Sequence, residues 1–351
     1  MTGASPAKQA AVYWTRGRIA LGVVIVVVAG SFIGVVFSRE LRAIQEGLAN
    51  DALYADLLRT TTEDYAAEFN LDNLVIPRDL ITFGGPRKDG IPALSDPEHV
   101  AMDSCDRLED DDRVVGMVVG GEARAYPLRV LLYHEIVNDN IGGTPVAIVY
   151  CPLCDSITAV DRRLDDVVRE FGVSGLLVNS NVLLYDRSDD SLWSQVGLTA
   201  ISGPNAGRSL PHLPWEITTA AAWRTRHPDS TVMSFETGYD RDYERNPYPT
   251  YFSSADALLF PVANEDDRLQ RRDLVVGIRL GDTTRAYPVA TIRNAPDGIV
   301  RDSIEGEPIV LSAGPDGESV RIVEVPTEAL SVHTFWFAWV AFYPDTEIYS
   351  F

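Results

Sequence analysis

One pattern in this chain occurs twice, and it limits the available folds more than any other feature. Val114-Val115-Gly116, followed by Arg124-Ala125-Tyr126-Pro127, returns as Val275-Val276-Gly277 followed by Arg285-Ala286-Tyr287-Pro288 at the same separation. Further along, Ile136-Val137-Asn138-Asp139-Asn140-Ile141-Gly142-Gly143-Thr144-Pro145 is echoed by Ile299-Val300-Arg301-Asp302-Ser303-Ile304-Glu305-Gly306-Glu307-Pro308. Each copy reads as a strand, a Gly-containing hairpin, a strand ending in Tyr-Pro, a short helix or turn, and a second hairpin closed near its Gly. From about residue 71 onward, short apolar runs are broken by Gly, Pro and Asp, the pattern of a β-rich globular region. The expected class is α+β, predominantly β, with two related subdomains from an internal duplication, 71–235 and 236–351, packed against each other. A chain of 351 residues suffices for two domains of ordinary size.

The two copies differ where chemistry is concentrated. Two of the three cysteines fall in Tyr150-Cys151-Pro152-Leu153-Cys154-Asp155-Ser156, after the last strand of the first copy, where the second copy has Ser312-Ala313-Gly314-Pro315. His134 is answered only by the Ala295-Pro296-Asp297 neighbourhood. Residues common to both copies, such as Arg124, Tyr126 and Pro127, read as structural; His134, Cys151 and Cys154, peculiar to the first, read as functional. Residues 145–150 and 157–161 have the character of strands, which places the cysteine pair in a tight loop between them. A thioredoxin-like dithiol opens a helix whose N-terminus lowers a thiol pKa, and no helix is evident here. Pro152 between the sulfurs suits a metal knuckle instead.

Three readings follow. In the first, Cys151, Cys154 and His134 bind a metal, with Asp155 or Asp161 as a further ligand; thiolate plus imidazole suits zinc or copper. In the second, the same sulfurs exchange with disulfides in an oxidising compartment, Cys151 attacking. In the third, the pair is structural and the protein is a non-catalytic binding or scaffolding module. Further candidates to line a site are Lys88, Asp155, Asn179 and Gln195. Lys88 is the only ammonium in the part expected to fold, and it sits in the Gly- and Pro-dense loop 84–92. Asn179 and Gln195 are polar residues amid apolar runs, which either satisfy backbone groups or face a cavity. Cys105, among Asp103, Asp106, Glu109 and Asp110, reads as an incidental thiol whose acidic surroundings raise its pKa.

Residues 19–37 are uninterrupted apolar, Gly and Ser residues, about 28 Å long as a helix, which matches a hydrocarbon core. Arg16 and Arg18 precede the run, so 1–18 is expected to be cytoplasmic and the main domain to lie outside the cytoplasm. A cleaved signal peptide is the competing reading, but no Ala-x-Ala site ends the run. Residues 38–70 read as a stalk helix, with Leu41, Ile44, Leu48, Leu53 and Leu57 in a stripe that also suits dimerisation. The membrane is therefore an expected partner. Nucleic acid is not, because the formal net charge is −21. No Gly-x-Ser-x-Gly, phosphate loop or dinucleotide fingerprint occurs in a confirming context.

Between the copies, the Tyr185 and Trp193 stretches read as a hairpin, and 218–227 as a short helix stopped by Pro228. Residues 237–248 carry three aromatics, as a tied surface loop or a lid over the first copy; 334–342 is too aromatic to face water and is expected to close the fold. Several ordered blocks now coincide: Arg124-Ala125-Tyr126-Pro127, His134-Glu135-Ile136-Val137-Asn138-Asp139, Tyr150-Cys151-Pro152-Leu153-Cys154, Phe171-Gly172-Val173-Ser174-Gly175-Leu176-Leu177 and the Trp336-containing tail. Over residues 84–349 they resemble the family catalogued as domain of unknown function 3179 (DUF3179). The resemblance implies no reaction. In that family the position after the second cysteine is commonly Asn; Asp155 here would bring an anionic oxygen near the sulfurs.

Overall fold

Short strands closed by Gly-rich turns build most of the molecule. Arg113–Val119 pairs with Glu122–Pro127 across Gly120 and Gly121, both at positive φ, as a two-residue primed hairpin turn requires. Helix Leu128–His134 follows, then the hairpin Ile136–Ile141 with Thr144–Cys151, then the antiparallel strand Ser156–Asp161. The same order recurs as Leu274–Leu280, Thr283–Pro288, helix Val289–Asn294, Ile299–Ile304, Glu307–Ala313 and Val320–Glu324. This computed structural model describes residues 61–197, 199–254, 258–314 and 319–351. The expected membrane span and the stalk up to residue 60 lie outside the described residues. Residues 61–66 are helical, and among the described residues no helix is long and apolar enough to cross a membrane.

The residues common to both stretches make the same contacts. Tyr126 Oη donates to Asp139 at 2.6 Å and Arg124 pairs with that carboxylate at 2.8 Å; Tyr287 and Arg285 do the same to Asp302 at 2.8 and 2.6 Å. Gly116 and Gly277, each mid-strand, lie under a tryptophan ring, Trp223 and Trp339 respectively, which a Cβ would overlap. Those rings come from the short helices Ala220–Arg226 and Trp336–Phe342. The aromatic tail is thus a buried strand, Leu330–Phe335, running into a buried helix.

Two eight-stranded sheets face each other across the largest apolar cluster. One runs, in order, Leu94–Ser95, Ile136–Ile141, Thr144–Cys151, Ser156–Asp161, Leu330–Phe335, Leu274–Leu280, Thr283–Pro288 and Glu347–Ile348. The other runs Ile299–Ile304, Glu307–Ala313, Val320–Glu324, Glu216–Thr219, Arg113–Val119, Glu122–Pro127, Thr231–Met233 and His99–Ala101. Each sheet therefore joins a three-stranded meander from one half of the chain to strands of the other half. The joints are Ile157 opposite His333 in the first sheet and Val320 opposite Ile217 in the second. The division expected near residue 235 does not separate two sheets, because both are built from both sides of it.

A five-stranded sheet, Ile81–Phe83, Phe171–Val178, Asn181–Asp186, Leu192–Ser194 and Thr199–Ala200, and a two-stranded hairpin, Arg163–Leu164 with Val167–Val168, accompany them. Phe171, Val173, Val182, Leu184 and Trp193 pack with Ala147, Val149, Cys151 and Cys154 in a second apolar cluster. The cysteine loop is thereby enclosed between two sheets.

Candidate functional site

Strand Thr144–Cys151 ends on the first cysteine, whose partner in register is Ser156, so Pro152 through Asp155 form the turn between them. Cys154 N–H donates back to Cys151 O at 3.2 Å, and Asp155 sits at φ 43°, a left-handed position that Asp and Asn tolerate best among residues with a side chain. No helix follows; the chain re-enters a strand at Ser156. Three partners pin Asp155. Tyr150 Oη donates to its carboxylate at 2.9 Å, Arg113 reaches the same carboxylate with two nitrogens at 3.2 and 2.9 Å, and its carbonyl bonds His333 Nδ1 at 3.0 Å. Phe335 N–H adds a bond to Cys154 O at 2.8 Å. Asp155 is therefore a brace for the turn, and its carboxylate is spent on Arg113 and Tyr150.

The sulfurs are buried, Cys151 1% exposed and Cys154 0%. Cys154 Sγ lies 3.3 Å from Ser180 O and Cys151 Sγ 4.0 Å from it. Ser180 and Asn179 form the positive-φ turn between Phe171–Val178 and Asn181–Asp186. Asn179 Nδ2 donates to Ala341 O at 3.1 Å and its Oδ1 accepts from Ala263 N–H at 2.9 Å, which fixes that turn. Gln195 Nε2 donates to Val149 O and Ser156 O at 3.0 and 2.9 Å, clamping the strands that flank the cysteine loop. Its Oε1 accepts from Ser156 Oγ and Asn181 Nδ2, both at 2.6 Å. Asn179 and Gln195 thus satisfy backbone groups around the thiols.

The two thiols are driven apart electrostatically. Burial works against a Cys151 thiolate, but the Cys154 S–H and the N–H groups of Val182, Cys154 and Leu153 outweigh it and bring the Cys151 thiol below its ordinary range. Burial, the bond to Cys151 and the charge on Cys151 push Cys154 well up. A single S–H cannot donate to two acceptors at once, so the Cys154 proton serves Ser180 O while Cys151 is neutral and Cys151 Sγ once it ionises. The donors that a helix N-terminus would provide are supplied here by the turn itself and the adjacent strand.

His134 does not join the sulfurs, contrary to the expected Cys151, Cys154 and His134 ligand set. Its Nδ1–H donates to Pro92 O at 2.7 Å and its Nε2 accepts from Tyr243 Oη at 2.6 Å, so both ring nitrogens are engaged. Burial holds the imidazole neutral, its pKa lowered to about 4. Among the described residues, no group of three or more His, Cys, Asp or Glu side chains is placed to hold a metal ion. Two sulfurs alone would leave a tetrahedral ion short of two ligands. Asp161 is engaged by Arg163 at 2.7 Å. Lys88 pairs with Asp190 at 2.5 Å and lies over the Tyr185 ring at 4.4 Å, against an apolar cluster other than the one that holds the sulfurs. Cys105 is half-buried, and burial raises its thiol pKa while Arg107 and Arg129 lower it.

Sequence reasoning passed over the residues that cover the thiols. Tyr251, from the helical turn Pro249–Phe252, donates its hydroxyl to Leu153 O at 2.6 Å and carries the Arg272 guanidinium 3.9 Å above its ring. Leu258 and Val262 pack on the same cluster, and Ser180 Oγ donates to Phe260 O at 2.7 Å. The preceding loop is tied down: Tyr243 is 2% exposed against His134, and Tyr133 Oη donates to Arg245 O at 2.7 Å. Beside the cover opens a groove of about 840 Å³, lined by Val262, Asp266, Arg268, Gln270 and Phe337 among others. Glu135, which extends the Ile136–Val149 pairing to face Tyr150, also neighbours Cys151.

Comparison with known proteins places most of this region in one family model, described as a protein of unknown function (DUF3179), which matches residues 88–329. No curated protein and no solved structure matches the chain.

Proposed function

Because the chain belongs to the DUF3179 family, for which no reaction is described, function has to be argued from the site, and we propose a thiol–disulfide exchange protein acting through Cys151 and Cys154. The observation that carries this reading is the placement of two neighbouring buried thiols, Cys154 Sγ 3.3 Å from Ser180 O, which takes its S–H, and Cys151 Sγ faced by the N–H groups of Leu153, Cys154 and Val182. That is the division of labour an attacking and a resolving thiol need. Cys151 Sγ attacks a substrate disulfide, a mixed disulfide forms, and one substrate thiolate departs; Cys154, once deprotonated, attacks Cys151 Sγ, closes the internal disulfide and releases the second. The substrate gains two electrons and the dithiol loses two. Entry requires Tyr251 and its neighbours to move, and the groove beside Val262 and Phe337 is the side from which a substrate approaches.

The apolar run at 19–37, with Arg16 and Arg18 before it, supports a single-pass anchor with a cytoplasmic N-terminus and the dithiol outside the cytoplasm, where disulfide substrates persist. The recurrence of contacts around Asp139 and Asp302 supports an origin of the β-rich part by duplication, with exchange of meanders between the copies.

Intact mass after incubation with oxidised glutathione tests the chemistry. The full-length chain is expected to lose the mass of two hydrogens, Cys154→Ser to retain glutathione as a stable adduct, and Cys151→Ser to do neither. A wild-type mass unchanged under conditions that oxidise small dithiols would reduce the pair to a structural element of a scaffolding module. Zinc or copper bound stoichiometrically and lost in Cys151→Ser would replace exchange by a metal function.

A further inference from the structure

One continuous segment, Leu94 to Ala101, closes one side of the sandwich. Leu94–Ser95 runs parallel to Ile136–Ile141 at the end of one eight-stranded sheet, and Asp96 N–H donates to Asn138 O at 2.8 Å. Beyond Pro97, His99–Ala101 pairs antiparallel with Thr231–Met233 at the end of the other sheet. Side chains fasten the segment: Leu94 is buried in the main core, and His99 Nε2 lies 3.2 Å from the Asp139 carboxylate.

The second half has the same two strands and, among the described residues, no such segment. Ile299–Ile304 is the counterpart of Ile136–Ile141; Glu347–Ile348, parallel to Thr283–Pro288, is that of Thr231–Met233, parallel to Glu122–Pro127. Each is the last strand of its sheet. The two-residue turn Glu305-Gly306, at positive φ, makes Ile304 and Glu307 a hydrogen-bonded pair, so by alternation Arg301 turns its N–H and C=O away from Glu307–Ala313. Asn138, its counterpart, is the residue that Asp96 meets. Ser303 O is taken by Arg285 at 3.1 Å, but among the described residues neither the outward main chain of Arg301 nor its exposed guanidinium has a partner. Asp302 is open in the same sense. Asp139 holds an arginine, a tyrosine and His99; Asp302 holds only Arg285 and Tyr287, and its side chain is 18% exposed against 5%.

An unpaired edge is a template for a further strand, and the first half displays the strand that fits. We propose that the side formed by Ile299–Ile304 and Glu347–Ile348 docks an extended segment of another protein by strand addition, with a basic side chain on Asp302 where His99 serves Asp139. The partner's main chain bonds the Arg301 N–H and C=O, an apolar residue takes the place of Leu94, and the segment bends to reach Ile348. A second copy of this chain has no equivalent segment to give, because its own first half holds Leu94 to Ala101.

The probe is a synthetic peptide of the sequence Gly90–Ala101, in three forms: unchanged, His99→Arg and His99→Ala. Amide hydrogen exchange of the full-length chain, read by mass, is expected to slow at residues 299–304 and 346–349 when the peptide is added. The His99→Arg peptide is expected to bind about tenfold more tightly than the His99→Ala peptide, as a charge-assisted bond to Asp302 requires. N-methylation of the peptide at Asp96 removes the donor to Arg301 O and is expected to abolish the slowing, with no change to the protein. Arg301→Pro removes an outward N–H that an edge strand can lose, and is expected to lose peptide binding while unfolding normally in urea. No slowing with any peptide, slowing that survives N-methylation, or equal binding of the His99→Arg and His99→Ala peptides would overturn the proposal. Slow exchange at 299–304 in the free chain, with sedimentation as a dimer, would overturn it too, by giving that edge to a second copy.

Discussion

The two sheet joints occupy matching places and are built from opposite chemistry. Val115 opposes Ile217, which opposes Val320; Val276 opposes His333, which opposes Ile157. The register carries further: Arg113 opposes Thr219 where Leu274 opposes Phe335, and Tyr150, the residue just before Cys151 at the end of its strand, has Ala313 at its counterpart. Tyr150, Arg113 and His333 are the three side chains that pin Asp155, and their counterparts Ala313, Leu274 and Ile217 are apolar. The frame around Asp139 and Asp302 is common to both halves, so the difference is confined to what braces and tunes the cysteine turn. A turn needed only to connect two strands would require no such brace.

The largest way to break this comparison is at Arg113. Arg113→Met leaves the Asp155 carboxylate, 4% exposed, without its cation, and is expected to cost about 3 kcal/mol, the low end for a broken buried pair because the guanidinium is itself 27% exposed. Leu274→Met, its counterpart, is expected to cost less than about 1.5 kcal/mol. Urea unfolding of both variants measures the contrast, and similar losses would show that the Asp155 brace contributes nothing beyond packing.

A second difference appears on acidification. Burial, with Arg113 nearby, lowers the His333 imidazole from its ordinary 6.5 to about 4, so the unfolded chain takes up that proton first. His333 therefore leaves stability intact above pH 6.5, and lets it fall as the pH drops from 6.5 towards 4. At about 1.4 kcal/mol per pH unit, the loss is about 2 kcal/mol at pH 5. His333→Ile, which installs the residue of the other joint, is expected to remove that part of the acid sensitivity, read as the difference in urea midpoint between pH 7 and pH 5. An unchanged difference would mean that the imidazole is solvated on folding.

Much of this was legible in the chain, for local reasons. Paired glycines at Gly120-Gly121 and Gly142-Gly143 dictate hairpins, and the helix expected at 218–227 is Ala220–Arg226, capped by Thr219. The joining of each meander to strands from the other part of the chain was not legible, because strand pairing across the chain is nonlocal and Ser156–Asp161 and Val320–Glu324 are both short, partly apolar strands that fit either joint. His134 drew attention by residue type, yet its place at the end of a helix turns its ring to Pro92 and Tyr243, while the next residue, Glu135, accepts from Tyr150 N–H, one residue before Cys151. A signal for Glu135 did exist: the hairpin closed at Gly142-Gly143 pairs Ile136 with Val149, and one more step places Glu135 opposite Tyr150. Tyr251 and Arg272 carried none, since their approach to Leu153 and to each other depends on how distant segments cross.

The smallest test addresses what the halves hold in common. Tyr126→Phe and Tyr287→Phe each remove a hydroxyl from a carboxylate that also bonds an arginine, Asp139 or Asp302. A hydrogen bond to a charged group contributes about 1.5–3 kcal/mol, and the arginine that remains in each case keeps the loss near the lower figure. The Asp139 side chain is 5% exposed and that of Asp302 18%, so water replaces the lost donor more readily at Asp302 and Tyr126→Phe is expected to be the costlier variant by a few tenths of a kcal/mol. Neither should alter thiol exchange. A Tyr126→Phe chain that unfolds normally in urea but exchanges slowly would move this shared residue into the chemistry of the sulfur-bearing half, and the separation of frame from function would fail at its strongest point.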